Sequence, residues 1–334
     1  MVAEEDISPG EIIARETSYS AVLGKIFYTY LIVIDNSILP PDRQYVGTNC
    51  THCLRRLTYC LPCPRCSLAK FCSASCRGAA LASHHRHECG LQDTVLYRGG
   101  CEAWLLALRI VGSKPLAEWQ RLRGRMGTHD ESLGTAEDDL YESEDIMTVY
   151  NLVTHDTEAD RAPPLLMKEC LTAVFFLRVL QVSGYFGPGA ASEPRAGRLT
   201  SEEMFLARLL HHFMRVVFYN SHEVTELQPG PASWPDNKVA KVGVAINPSL
   251  ALINHSCDPN YARVERGTAV LGFATRLIRA GEEILDVYSG TFVTAAAESR
   301  AEVHARYNFR CGCAACSLGW PTHGLLVRTT HKLE

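Results

Sequence analysis

Apolar residues recur every three or four positions in three segments of the middle of the chain, and this spacing predicts three helices. The first lies within residues 101–126, and the second, which we expect to be largely buried, lies within residues 164–183. The third begins at Thr200, where Glu203 three residues later completes a capping box. Its apolar stripe, Met204 to Val217, is expected to form core rather than a cofactor site.

Short alternating patterns replace the helical spacing in the last third of the chain. From Val242 onward the apolar period falls towards two, and Asn, Gly and Pro separate the runs, which predicts β-strands. Residues 261–274 favour a hairpin, and Pro9-Gly10-Glu11 and Ala280-Gly281-Glu282 are turns that lead into further strands. A last helix is predicted from about Val293 to Tyr307. Helices and strands that occupy separate parts of the chain indicate the α+β class.

Composition and charge indicate which classes of partner and which cellular compartment to expect. The 334 residues carry a net charge of -4, so nucleic acid is not the expected partner. No apolar run approaches the roughly 20 residues that a membrane helix needs, so no membrane is expected either. The acidic start, Met1 to Asp6, lacks the features of a signal peptide. Without an export signal, fourteen cysteines favour metal ligation over disulfides and indicate a reducing compartment. We therefore expect the nucleus or the cytoplasm. Residues 128–145 hold eight acidic residues without Lys or Arg and predict an exposed insert, and residues 184–197 predict a linker.

Eight of the cysteines fall within residues 50–89. Four close pairs supply eight ligands, enough for two tetrahedral zinc sites that would provide the folding free energy of so short a segment. Cys60 could compete as a ligand, and His84 and His87 flank His85, so the histidine ligand could be shifted in register. The pairs are Cys50 with Cys53, Cys63 with Cys66, Cys72 with Cys76, and His85 with Cys89.

A polar turn at residues 254–260, Asn-His-Ser-Cys-Asp-Pro-Asn, follows an apolar run. An isolated turn of this kind ordinarily satisfies its own backbone, but turns between buried runs also meet ligands. Here the turn is followed by Ala280-Gly281-Glu282-Glu283-Ile284, by Tyr288 and by Tyr307-Asn308-Phe309-Arg310-Cys311-Gly312-Cys313-Ala314-Ala315-Cys316. In this order the set resembles the C-terminal half of a SET lysine methyltransferase domain with its zinc-binding post-SET segment.

The cysteine module in turn resembles a MYND finger, and a SET domain interrupted by a MYND finger is the layout of the SMYD family. The proportions are most similar to arthropod SMYD4-like members. The resemblance implies a SET β-fold of small sheets with pseudoknot-like threading at residues 254–260, an inserted finger, a helical insert and a post-SET zinc segment. The predicted domains are residues 1–49 (N-terminal SET part), 50–89 (MYND finger), 90–200 (helical insert), 201–292 (SET core) and 293–334 (post-SET segment).

The resemblance also implies three zinc ions. The finger pairs would interleave, with Cys50, Cys53, Cys72 and Cys76 on one ion and Cys63, Cys66, His85 and Cys89 on the other. The spacing of Cys311, Cys313 and Cys316 supplies three thiolates of a further site, and the resemblance supplies Cys257 as the fourth. Cys101 and Cys170 have no evident partner and are expected to be buried thiols.

S-adenosylmethionine is the methyl donor that the resemblance implies, with the lysine of a protein, such as a histone tail, as acceptor. The residues that match functional positions are Asn254 and His255 (amino acid and adenine parts of the cofactor), Asn220 (cofactor side), Tyr288 (orients methyl and amine), Tyr307 (lysine channel beside the cofactor) and Phe309 (near the adenine).

Two functions remain open at this point. The first is a protein-lysine methyltransferase whose finger binds a peptide partner, commonly a proline-rich one. The second is a non-catalytic adaptor that recruits protein partners, for example in transcriptional repression. SET domains begin with a Gly-x-Gly turn, and Met1-Val2-Ala3 matches the positions just after it, so weaker cofactor affinity would be expected if that turn is missing. A zinc hydrolase is disfavoured because each predicted metal site is closed.

Overall fold

The computed structural model describes residues 1–23, 47–66, 68–91, 94, 102–126, 145–154, 162–187, 198–228, 238–288 and 290–321. Cys101, nearly all of the predicted acidic insert and most of the predicted linker lie outside these residues. The chain divides into two compact units, which we call unit 1 and unit 2. Unit 1 comprises Met1–Glu16, Ser249–Val264 and Ala269–Glu334, and unit 2 comprises Thr17–Pro248 and Glu265–Thr268.

The secondary structure confirms the α+β class. The described helices are α1 (Ala74–Ala82), α2 (His85–Glu88), α3 (Glu102–Gly112), α4 (Leu116–Leu122), α5 (Ile146–Tyr150), α6 (Pro163–Val182), α7 (Ser201–Asn220), α8 (Ala297–Arg306) and α9 (Ala314–Ser317). The described strands are β1 (Ile12–Thr17), β2 (Ser20–Leu23), β3 (Leu61–Pro62), β4 (Lys70–Phe71), β5 (Ser221–Gln228), β6 (Lys238–Ile246), β7 (Asn254–His255), β8 (Tyr261–Arg266), β9 (Ala269–Ala274) and β10 (Leu285–Asp286). No helix that could cross a bilayer is found in the part of the chain that the structure describes.

Local signals explain where the helices of unit 2 begin and end. The predicted capping box is present at the start of α7, where the Thr200 side chain accepts from the Glu203 backbone and the Glu203 carboxylate accepts in return. The first predicted helix is instead two helices, α3 and α4, because Pro115 between them has no backbone N–H to continue α3. Helix α6 begins with Pro163, a residue whose fixed φ suits the first helical position.

Helix α6 corrects the prediction of a largely buried helix. One face is buried through Phe176 and Leu180, but Met167 and Leu171 are each 63% exposed on the opposite face. Apolar residues are spread around this helix, so their spacing did not indicate which face meets the core. Cys170, predicted to be a buried thiol, is also exposed.

Unit 2 contains a three-stranded antiparallel sheet in the order β2–β6–β5. Gly243 is required in the middle strand, since a Cβ there would lie 2.3 Å from the carbonyl oxygen of Val22. The finger contributes to the same core, because Leu54 is 1% exposed and packs with Val224 and Val242. Leu54 takes a φ of 62°, an unusual conformation for a branched side chain that its burial supports.

A buried ion pair also fastens the finger within unit 2. Both carboxylate oxygens of Glu88 in α2 accept from the Arg109 guanidinium in α3, at 2.6 and 2.9 Å. Arg109 further donates to the carbonyl of Ala21 in β2. Since Glu88 directly precedes a predicted zinc ligand, the finger is joined to a helix and a strand rather than tethered as a separate module.

Unit 1 is built around the predicted strands. Strands β1, β9 and β8 form a sheet in that order, and β8 and β9 are the predicted hairpin. Gly272 leaves room for the buried ring of Tyr261, whose hydroxyl would lie 2.1 Å from an added Cβ. The core of unit 1 also includes Leu250, Ile253, Ile278 and Ile284. The predicted pseudoknot-like threading stays a prediction.

Candidate active site and metal centres

The polar turn is held by a short parallel pairing within unit 1. Strand β7 pairs with β10, so that Asn254 lies opposite Leu285 and His255 lies opposite Asp286. Only two residues pair on each strand, and other contacts must therefore fix the turn. Asn254 supplies one of them by donating to the Glu283 carboxylate at 2.7 Å.

Asn260, at the other end of the turn, is fully buried and completes this attachment. Its Oδ1 accepts from the Leu285 backbone N–H at 2.8 Å, and its Nδ2 donates to the Glu283 carbonyl at 2.8 Å. An amide is one of the few side chains that can satisfy a buried donor and a buried acceptor at once. The Asn260 side chain therefore joins the turn to the β10 segment through the same kind of hydrogen bonds that a paired strand residue would make.

Four of the predicted site residues lie together in one aromatic cluster. The ring centroid of His255 lies 5.2 Å from that of Tyr288 and 5.6 Å from that of Phe309. Tyr307 completes the cluster at 5.5 Å from Tyr288. These separations are those of packed aromatic pairs, so the residues form continuous walls.

Tyr288 carries a neutral hydroxyl in this cluster. Its oxygen donates to the Ile253 carbonyl at 2.7 Å, which leaves the oxygen lone pairs as acceptors. Burial, together with the negative charges of Asp286 and Glu283, raises the pKa of Tyr288 to about 12. Tyr288 as a whole is still 37% exposed, so a ligand can reach the residue.

The end of α8 sets the positions of Tyr307 and Phe309. Asn308 between them has a φ of 57°, the left-handed conformation that Asn tolerates better than most residues. The Asn308 N–H donates to the Ala305 carbonyl at 3.1 Å and the Phe309 N–H donates to the His304 carbonyl at 3.3 Å. This is a Schellman motif, in which the Phe309 ring packs on His304 with centroids 5.0 Å apart.

The two finger clusters assemble with the ligands predicted by the resemblance. Cys50, Cys53, Cys72 and Cys76 form one group and Cys63, Cys66, His85 and Cys89 form the other, with all ligand atoms of a group within 4.8 Å of one another. A tetrahedral zinc–thiolate site requires sulfur separations of about 3.8 Å, so both groups fit zinc.

The ligand alternatives left open in the finger are resolved by the same geometry. The Nε2 of His85 lies 3.5 Å from the Cys66 sulfur. His87 instead contacts the Ser183 hydroxyl through Nδ1, and Cys60 is exposed and belongs to neither group. Neither His84 nor His87 belongs to a metal group among the described residues.

The post-SET cysteines also converge, and here the structure offers two overlapping groups. Cys257, Cys311, Cys313 and Cys316 form the predicted group, and His255, Cys257, His304 and Cys311 form a second that shares two of its members. The Cys257 sulfur lies 3.5 Å from that of Cys316 and 3.9 Å from that of Cys311, which fits zinc.

The hydrogen bonds of His255 decide between the two groups. Burial lowers the pKa of His255 to about 4, so its imidazole is neutral and carries one proton. Its Nδ1 accepts from the Tyr288 backbone N–H at 2.9 Å, and the proton therefore belongs on Nε2. A protonated Nε2 cannot bind a metal, and it faces the Cys257 sulfur at 3.5 Å as a donor. This geometry favours the four cysteines over the mixed group as metal ligands.

Asn220 lies in unit 2, at the end of α7. Its Nδ2 donates to the carbonyls of Val216 at 2.7 Å and Val153 at 2.8 Å, so its side chain caps local backbone. Its cofactor role stays a prediction.

Sequence reasoning missed four residues of this site, namely Asn260, Glu283, Arg300 and His304. The last two are 1% and 3% exposed, four residues apart on the face of α8 that meets the post-SET cysteines. Polar residues on a helix of low hydropathy give no pattern of burial, so only the folded structure shows that these two are buried. For Asn260, the available signal was its place at the end of the polar turn, since a buried Asn needs both of its amide groups satisfied.

Comparison with known proteins agrees with this geometry. Residues 132–289 match the SET domain family, and residues 50–89 match the MYND finger family. The chain is 27% identical over 343 residues to protein-lysine N-methyltransferase SMYD4 of Gallus gallus, covering 90% of this chain and 46% of the relative. For the Homo sapiens SMYD4 the identity is 23% over 371 residues, covering 95% and 44%.

A third relative is histone-lysine N-methyltransferase SMYD3 of Mus musculus, 27% identical over 271 residues that cover 81% of this chain and 52% of the relative. The chain therefore spans about half the length of these curated relatives. Both domains, the order of their motifs and the convergence of the post-SET cysteines point to the same conclusion. The chain contains a SET domain and a MYND finger, the two domains for which the SMYD family is named, and it is similar to SMYD4 and SMYD3 proteins of that family.

Proposed function

We propose that this chain is a protein-lysine methyltransferase that uses S-adenosylmethionine. The observation that carries the proposal is the aromatic cluster of His255, Tyr288, Tyr307 and Phe309, which is bordered by the polar turn and by the post-SET metal group. The printed names of the relatives, protein-lysine and histone-lysine N-methyltransferases, support it.

The residues present suit the cofactor. S-adenosylmethionine, when bound, supplies an electrophilic methyl group on a sulfonium. Asn254 is exposed and donates through Nδ2 to Glu283, so its Oδ1 is the atom that would accept from the amino group of the cofactor. Phe309 offers a ring face for an adenine, and His255 would contact the cofactor from the β7 side of the turn.

The cluster also suits a lysine amine as acceptor. Aromatic walls exclude water and disfavour the charged ammonium, so a neutral amine is favoured. The hydroxyl of Tyr288 stays protonated and donates to Ile253, which leaves its lone pairs to accept from the amine or the methyl group. Tyr307 beside it would line the path of the lysine side chain. We infer a lysine-bearing protein, such as a histone tail, as the substrate.

The finger and the compartment are part of the same proposal. The two metal groups of the finger each have four protein ligands and leave no open coordination position for hydrolysis. The finger is therefore a structural surface, and we infer that it binds a peptide partner. Thiols that bind zinc must stay reduced, which requires a reducing compartment. We therefore propose the nucleus, the cytoplasm or both.

Calorimetric titration of the zinc-loaded full chain with S-adenosylmethionine tests the proposal, followed by single-turnover methyl transfer to a histone mixture. Tyr288→Phe should retain cofactor binding and lower the transfer rate by about 100-fold, the cost of removing one oriented hydroxyl. Tyr185→Phe is the matched control, because the Tyr185 hydroxyl also donates to a backbone carbonyl at 2.7 Å but lies in unit 2. Absence of cofactor binding by the folded, zinc-loaded protein would refute the proposal and favour the adaptor.

A further inference from the structure

Arg263 and Asp286 form a largely buried ion pair in unit 1. The Arg263 side chain in β8 is 19% exposed and the Asp286 side chain in β10 is 6% exposed, and Nη1 of the arginine donates to Oδ2 of the aspartate. A buried pair of this kind adds little net stability compared with apolar residues, although removing one partner is costly. The place of the pair in the fold, two residues before Tyr288, is therefore more informative than its contribution to stability.

The segment that carries Tyr288 is attached to its sheet over a short length. Strand β10 pairs with β7 only through Leu285 and Asp286, and Tyr288 lies beyond this pairing. Tyr288 is also 37% exposed, so packing alone does not fix its ring. Hydrogen bonds and the ion pair therefore contribute much of what sets the position of its hydroxyl.

Asp286 connects the ion pair to these hydrogen bonds. One of its carboxylate oxygens contacts Arg263, and the other, Oδ1, accepts from the Val287 N–H at 2.7 Å. The Asp286 carbonyl accepts from a backbone N–H of the polar turn at 2.8 Å. The next N–H along the chain, that of Tyr288, donates to His255 Nδ1 at 2.9 Å. The backbone that leads to the Tyr288 ring is thus held at each residue.

We propose that Arg263 is a positioning residue for Tyr288 and acts through the Asp286 carboxylate. Arg263 belongs to the three-stranded sheet of unit 1, so the ion pair joins a two-residue strand to a larger element. The fixed carboxylate holds the Val287 N–H and with it the direction in which the Tyr288 ring leaves the strand. The hydroxyl then donates to the Ile253 carbonyl and keeps its lone pairs for a substrate. This inference rests on the proposed role of Tyr288 in methyl transfer.

A second arginine–carboxylate pair in unit 1 provides a matched comparison. Arg276 donates to Glu282 at 2.7 Å, and the two side chains are 47% and 32% exposed. Exposed pairs of this kind contribute little, and no hydrogen bond joins this one to Tyr288 in the described part of the chain. Loss of the Arg276 charge should therefore leave the position of Tyr288 unchanged.

A double-mutant cycle in the zinc-loaded full chain tests the link, with single-turnover methyl transfer to a histone mixture as the assay. Arg263→Met should lower the transfer rate about 10-fold, because a misplaced reacting group is costly, while cofactor affinity measured by calorimetry stays within about threefold. In the Tyr288→Phe background the same change should lower the rate by less than about twofold, since no hydroxyl remains to be positioned. Arg263→Lys should restore part of the rate, and Arg276→Met should leave it unchanged.

Fluorine NMR supplies a measurement that needs no cofactor. With 3-fluorotyrosine in place of Tyr288, the parent protein and Arg276→Met should give the same resonance. Arg263→Met should shift or broaden that resonance, because the ring then samples other positions. This measurement separates the inference from the proposed function, since it applies even if the parent protein transfers no methyl groups.

Circular dichroism and zinc content check the folding of each variant. If Arg263→Met does not fold, Asp286→Asn takes its place, because it removes the same ion pair from the other side. An unchanged fluorine resonance would overturn the proposal, and so would an equal loss of rate in the parent and Tyr288→Phe backgrounds. If the parent protein transfers no methyl groups, the fluorine resonance alone decides.

Discussion

Replacing Asn260 with alanine is expected to loosen the polar turn from β10. The variant removes the acceptor of the Leu285 N–H and the donor to the Glu283 carbonyl, both at 2.8 Å. Asn260 is fully buried, so solvent does not replace these bonds directly. Each unsatisfied buried backbone group costs about 1–3 kcal/mol, and two of them give about 2–6 kcal/mol. A water entering the small cavity would place the cost near the lower end.

Hydrogen exchange measured by mass spectrometry suits this test better than global unfolding, because two units and several metal sites make a two-state transition unsafe. Peptides that contain Leu285 should exchange about 30-fold faster or more, which corresponds to a loss of about 2 kcal/mol. Thr275→Val is the control, since Thr275 makes a long, exposed hydrogen bond of 3.4 Å to Pro259 in the same turn. That variant should change the exchange little. Equal exchange in Asn260→Ala and the parent protein, with zinc retained, would refute the reasoning.

Two other positions test how the structure is held. Asn308 has a φ of 57°, so a change to Val should destabilise the end of α8 by about 1–2 kcal/mol, while a change to Gly should cost almost nothing. Hydrogen exchange of peptides containing Phe309 measures the difference. Similar exchange in both variants would contradict the Schellman motif. Glu88→Gln leaves the buried Arg109 charge without its carboxylate and should cost about 3–5 kcal/mol, measured as faster hydrogen exchange of peptides from α3. Glu88→Leu combined with Arg109→Met should cost less than either single change. A double variant as unstable as the sum of the singles would show that the pair does not act as a unit.

Much of this protein was determined by short-range patterns in the sequence. Cysteine spacing was enough to predict two zinc sites within residues 50–89, because two ligands a few residues apart can hold one ion in almost any backbone context. The division of those ligands between the two ions came from the family resemblance. The capping box of Thr200 and Glu203 and the turns at Gly10 and Gly281 are local in the same way, since each depends only on neighbouring backbone groups. The place of Cys257 in the post-SET site came from the family resemblance rather than from spacing.

Tertiary structure alone decided which surfaces of the predicted elements are covered. Helix α6 has apolar residues on several faces, and only its packing leaves Met167 and Leu171 exposed. The same holds for charge, since Arg300 and His304 in α8 are buried although nothing in the neighbouring sequence predicts it. A sequence specifies local geometry through bonds between near neighbours, but the environment of a side chain depends on residues tens of positions away, and those meet only in the folded chain.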